Sequence, residues 1–167
     1  SQIKKLENEL ATLKDAQNEF SDKNLIIKAI VENSKDWIWE IDTSGNHTYS
    51  NNAIVDILGY SIEEIVDQPS ANFIHPDDIK IAEDLLKKGI KTKKGWKDVV
   101  IRWKHIDKSC RFIETSAVPI FDTEGEVIGF RGVDRDITDR KRSEIIQSIL
   151  FNISNAVNTT ETTEALI

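Results

Sequence analysis

The spacing of apolar residues changes twice along these 167 residues, and no other feature constrains the fold as strongly. Near the N-terminus Ile3, Leu6, Leu10, Leu13, Phe20, Ile27 and Val31 fall on alternating three- and four-residue steps, with Gln17 and Asn24 in the two polar places. Heptad spacing of this kind puts one narrow apolar seam along a helix, as in rods that pair. A polar Asn24 in such a seam can fix register at some cost in stability. Residues 1–34 therefore read as a coiled-coil helix, and the chain as a homodimer. Two alternatives stand beside this: a single amphipathic helix lying on its own domain, or a helix restarted with Ser21-Asp22 as a new N-cap.

The period then shortens. "WIWEIDTSGNHTYSN" (37–51) reads as strand, turn, strand, reversing at Asp42-Thr43-Ser44-Gly45. Short helices follow: Asn51 is an N-cap for 52–58, Gly59 can end that helix, and Ser61 with Glu64 forms a capping box. In "HPDDIKIAEDLLKKGIK", Pro76 sits in the first turn of a longer helix, with Asp77 and Asp78 where the helix dipole favours anions. Its buried stripe is Ala82, Leu85, Leu86 and Ile90. Three β runs complete the zone, at 96–104, 111–121 and 126–136, separated by turns at 107–109 and 122–125. Two strands, a group of helices and three strands predict an α+β domain at 35–138, a five-stranded antiparallel sheet with its helices on one face.

A second helical zone, 139–158, follows Thr138 as N-cap and continues a seam through Ile146, Ile149, Ile153 and Ala156. "NTTETTEALI" predicts a break, with 159–167 as the start of a further module.

Composition removes several classes of function. A net charge of −7, with the positive residues interleaved among acids, argues against nucleic acid as a partner. One cysteine, Cys110, permits no internal disulfide and too few thiols for a zinc or iron–sulfur site, which fits a reducing, cytoplasmic setting. No apolar run approaches the roughly 20 residues that cross a bilayer, so direct membrane insertion is not expected. The absence of methionine suggests a piece of a longer protein.

The stretches "DWIWEIDTSGNHTYSNNAIVDILGYSIEEI", "FIHPDD" and "RFIETSAVPIFDTEGEVIGFRGVDRDITDRK" resemble the PAS sensory family with its C-terminal PAC segment, over roughly residues 25–142. The resemblance implies the PAS fold, and a position between coiled-coil helices of a histidine kinase or a related regulator. It also marks Asp136-Ile137-Thr138 as the junction that hands the last strand over to the output helix. Two departures are Asp67, where the family often has glycine, and Asp107-Lys108-Ser109, a hairpin without its usual glycine. "ILFNISNAVNTTETTEALI" resembles, over a short stretch, the helix that leads into a GAF sensory module.

His75 is the candidate haem ligand, since some PAS domains hold haem through a histidine on the long helix. Its place before Pro76 favours a cap, and no motif requires a cofactor. His47 and His105 lack neighbouring ligands and read as surface or packing residues. Cys110 is not in the Asn-Cys-Arg-Phe context of flavin-binding relatives and reads as a structural thiol. No nucleophile–base set, P-loop or phosphoacceptor histidine is present, so the chain is not expected to be an enzyme. If the helices leave a cavity on the sheet, Phe73, Leu85, Ile101, Trp103 and Thr115 are its expected lining, against the simpler reading that they fill the core. The leading function is thus a dimerising signal-relay module acting on a downstream output module of the same chain. The alternative is a sensor with its own small-molecule ligand.

Overall fold

The computed structural model describes residues 2–164, with side chains through residue 156. In chain order the elements are α1 (Gln2–Glu32), β1 (Trp37–Asp42), β2 (His47–Ser50), α2 (Ala53–Leu58) and α3 (Ile62–Ile65). Two 3-10 turns follow, at Ser70–Asn72 and Pro76–Asp78, then α4 (Ile79–Thr92), β3 (Trp96–Lys104), β4 (Cys110–Phe121), β5 (Val127–Asp136) and α5 (Thr138–Glu164). The strands form one antiparallel sheet in the order β2-β1-β5-β4-β3. The fold is α+β, as the change of period predicts.

Strand alternation decides which residues reach the core. On β1, Trp37, Trp39 and Ile41 are buried, while Glu40 faces the other way and pairs with Arg131 of β5. Phe130, Gly132 and Asp134 of β5, Ile113, Thr115 and Ala117 of β4, and Ile101 and Trp103 of β3 share the inner face. Ile54, Leu58 and Ile65 from the short helices and Ile74 close over it, all at most 2% exposed. Each such side chain contributes about 1.5–3 kcal/mol by leaving water.

The local signals act largely as their chemistry requires. Ser61 Oγ accepts from the Glu64 amide and Glu64 Oε2 from the Ser61 amide, closing the capping box. Gly59 ends α2 at φ 80°. Both departures from the family pattern are left-handed residues, Asp67 at φ 62° and Lys108 at φ 70°. The Lys108 hairpin is held by Asp107, whose carboxylate accepts from the Ser109 amide at 2.8 Å.

Several expectations need correction. Asn51 does not cap α2; it is fully buried, and Asn52 takes the cap position without a side-chain bond. Helix α1 passes through Ser21-Asp22 uninterrupted, and none of its residues is buried, so it does not lie on its own domain. Helix α5 runs on to Glu164 without the break expected near Asn158, and residues 165–167 of the expected further module lie outside the described residues. Continuous backbone hydrogen bonding carries a rod past a locally polar stretch at little cost.

Candidate functional site

Four tryptophans converge on the helix-covered face of the sheet. Trp39 fits because its register partner is Gly132, itself paired with Ala117, so the large ring lies over two small residues. A Cβ on Gly132 would stand 2.2 Å from that ring. Trp37 and Trp103 meet edge to face at 5.0 Å, and Trp39 stacks with Trp96 at 6.2 Å.

Between these rings, α4 and residues 69–71 lies a cavity of about 160 Å³. Leu85, Ile101, Trp103 and Thr115 stand around it, with Trp39, Ile41, Ile74, Leu86 and Trp96. Phe73 does not. Ile74 takes the inward position beside it, and the Phe73 ring packs edge-on against Tyr60 at 5.1 Å. Exposed Ser44 and Glu83 mark where the cavity meets solvent, between the β1–β2 turn and α4.

His47, read from sequence as a surface or packing residue, is buried on this wall. Its register partner is Ile41, an inward position, so the hairpin pairing carried the signal. Ser70 Oγ donates its one proton to the Gly45 carbonyl at 3.0 Å. The 3.0 Å contact between His47 Nε2 and Ser70 Oγ therefore has Nε2–H as its donor. That leaves Nδ1 with a bare lone pair and no partner. Burial lowers the His47 pKa to about 4, so the ring is neutral. The indole N–H groups of Trp39 and Trp103 are also buried without a partner. Trp37 Nε1 instead donates to Ser50, and Trp96 Nε1 to Thr115.

Behind Thr115 and Trp39 lies Asp134, 1% exposed, with neither oxygen in a hydrogen bond. Burial pushes its pKa up to about 7; Thr115 and Trp39 pull the other way but reach no hydrogen bond of good geometry. Sequence reasoning passed over this residue because an acid in an alternating strand is ordinarily on the wet face.

Two joints connect the sheet to its helices. At the exit, the Ile137 amide donates to the Phe112 carbonyl at 2.9 Å, and Thr138 Oγ1 accepts from the Phe112 amide at 3.0 Å. Asp136 Oδ1 takes the Thr138 amide at 2.8 Å, and Ile137 and Thr138 are both buried. Thr138 thus opens α5 and spends its hydroxyl on β4 rather than on its own helix. Arg140 adds an ion pair to Glu114 at 2.8 Å. At the entrance, Asn51 Nδ2 donates to the Val31 carbonyl at 2.8 Å and the Asp36 carbonyl at 3.2 Å, while its Oδ1 accepts from the Ile38 amide. Tyr49 donates to Glu32 at 3.0 Å, and its pKa is pushed up to about 12 by burial and by that carboxylate. Asp36 and Arg135 then bridge the two joints at 3.0 Å. The seam residues Ile3, Leu6, Leu10, Leu13, Phe20 and Ile27 are 53–70% exposed along α1, and Asn24 is exposed among them.

The other candidates lie elsewhere. His75 Nδ1 accepts from the Asp77 amide at 3.3 Å and takes no part in the cavity wall, and the cavity is far too small for a tetrapyrrole, so the residues present do not fit haem. His105 Nδ1 accepts from the Asp107 amide at 3.1 Å, and Cys110 is half-buried at the start of β4. The helix dipole does not account for Asp78. It is buried and grips Arg102 of β3, accepting from its amide at 2.8 Å, Nε at 3.0 Å and Nη2 at 2.6 Å. Those bonds hold its carboxyl below the usual range. Among the described residues no group of three or more His, Cys, Asp or Glu could hold a metal, and no helix is long and apolar enough to cross a membrane.

An open antiparallel sheet that covers a ring-sized cavity and is joined at both ends to helical rods is the architecture of a sensory-domain fold. The family model described as "PAS fold" matches residues 26–137, and the chain belongs to the PAS family. It is 26% identical over 140 residues to hybrid signal transduction histidine kinase L of Dictyostelium discoideum, which takes in 84% of this chain and 8% of that relative's length. The PAS domain of a protein from Colwellia psychrerythraea superposes with a TM-score of 0.62 at 27% identity, over 69% of this chain and 98% of that one. A sensory box histidine kinase/response regulator from Burkholderia thailandensis shares the fold, with a TM-score of 0.61 at 23% identity, over 78% of this chain and 98% of that one.

Proposed function

We propose that this PAS domain is the sensing and relay element of a longer two-component signalling protein, a histidine kinase, working in the cytoplasm as a homodimer. Two copies pair along the α1 seam. A change within the core moves the sheet, and the exit joint passes that movement through α5 to an output module further along the same chain. The Dictyostelium relative supports the kinase setting.

The observation that carries this reading is the exit joint. Three backbone amides and two side chains tie the start of α5 to β4 and β5, so α5 cannot stay still when those strands shift. The Asp36–Arg135 bridge places the root of α1 against the same strand, which gives a short path from input rod to output rod. Signalling then requires two arrangements separated by a few kcal/mol.

The test uses the full-length parent. Asp136→Ala and Thr138→Ala are expected to abolish signal-dependent control of its kinase activity while the PAS domain keeps its thermal transition within a few degrees. Normal regulation in both variants would refute the relay. For pairing, sedimentation of this chain should give a dimer, and a monomer at high concentration would refute that part.

A further inference from the structure

We propose that the cavity under the sheet takes a small, uncharged, planar molecule carrying a hydrogen-bond acceptor next to an N–H donor, of which a six-membered cyclic amide is the simplest example. The inference goes beyond the relay reading and holds whether or not the chain pairs.

Size sets the first limit. A cavity of about 160 Å³ is close to the engineered cavities of about 150 Å³ that accept benzene, so it admits a single ring. Shape sets the second. Flat indole walls from Trp39, Trp96 and Trp103 favour a planar guest that can stack.

Chemistry sets the third. Two buried polar atoms on the wall are left for a guest, the N–H donor of Trp103 and the bare Nδ1 acceptor of His47, while the Trp39 N–H is turned to Asp134. The His47 ring centre lies 6.2 Å from that of Trp103, a separation that one ring can bridge. A guest with a carbonyl and a neighbouring N–H would meet an indole donor and the imidazole acceptor together. Buried groups of this kind reject a guest that leaves them unmet more strongly than they reward a fit.

Charge sets the last. No Lys or Arg stands on the wall to receive an anion, and Glu83, its one carboxylate, is exposed at the mouth. His47 is neutral. An ion entering here would lose its hydration without a countercharge.

The four tryptophans supply the readout, four indole N–H signals in a nitrogen–proton correlation spectrum of this chain. Titration with 2-pyridone should saturate below about 10 mM and move the Trp103 signal downfield, leaving that of Trp37, already bonded to Ser50, nearly still. Toluene and benzylamine should each bind at least about tenfold more weakly, and Trp103→Phe should weaken 2-pyridone about tenfold. The proposal is overturned by the absence of saturable binding, by equal affinity for toluene, by tighter binding of benzylamine, or by a folded Trp103→Phe that binds as well as the parent. If Trp103→Phe does not fold, the comparison of the three compounds on the unaltered chain decides alone. A negative result would leave pairing and relay untouched.

Discussion

Replacing Asp134 with asparagine is expected to change how stability depends on pH, and the size of the change follows from burial. The carboxyl is enclosed with no hydrogen-bond partner and titrates near 7 in the fold, against 3.8 when the chain is unfolded. Between those values the folded protein holds a proton that the unfolded chain has released. The stability contributed by the protonated acid is therefore complete below about pH 3.8 and is lost as pH rises through about 7. At about 1.36 kcal/mol per pH unit, the full loss is on the order of 4 kcal/mol. His47 works in the opposite sense. Its pKa falls from 6.5 to about 4, so its contribution is present above 6.5 and is lost as pH drops toward 4, on the order of 3 kcal/mol in all. The two effects oppose each other between about 4 and 6.5, which leaves the parent curve nearly level there and hides both. The comparison with Asp134→Asn separates them, because the variant keeps His47 and has no titrating group at 134. Urea midpoints measured from pH 4 to 8.5 should show the variant gaining on the parent with rising pH, by up to roughly 4 kcal/mol, and levelling off above the pKa. Parallel curves across that range would mean that Asp134 ionises freely, and would refute its isolation from water and partners.

Three further outcomes are expected. Arg102→Met leaves the buried Asp78 carboxylate with only the backbone amide of residue 102 and should clearly lower the urea midpoint, whereas Lys80→Ala, which breaks an exposed pair with Asp84, should leave it nearly unchanged. Gly132→Ala should cost about 1–3 kcal/mol and shift the Trp39 indole signal, since the new methyl meets that ring. Leu6→Glu with Leu13→Glu should turn the proposed dimer into a monomer in sedimentation and leave the thermal transition of the PAS core unchanged, because neither residue is buried in the single chain.

Much of the fold could be read along the chain. "WIWEIDTSGNHTYSN" and the three later β runs named their strands, the later three with their ends as observed and their starts within one residue, because side-chain alternation and turn residues are local properties. Ser61 and Glu64 announced their capping box for the same reason. Asn51 misled because its local cue, an Asn before a short helix, was outweighed by three hydrogen bonds to residues 31, 36 and 38. Asp78 misled in the same way: the helix dipole is visible in sequence, whereas Arg102, 24 residues away, is not.

The cavity divides along the same line. Leu85, Ile101, Trp103 and Thr115 follow from inward faces of a helix and of strands, which periodicity reveals. Phe73 and Ile74 are adjacent in a segment without a period, so which of them turns inward depended on how the 3-10 turn meets the sheet.

By itself the sequence determined the strand and helix periods, the turns between them, the exposed seam of α1 and the class of fold. Tertiary structure decided the register that sets Trp39 over Gly132, the hydroxyl that fixes the tautomer of His47, and the enclosure that keeps a proton on Asp134. The physical reason is range: propensity and periodicity act over a few residues, while desolvation and hydrogen-bond satisfaction depend on whatever the rest of the chain brings within a few ångströms.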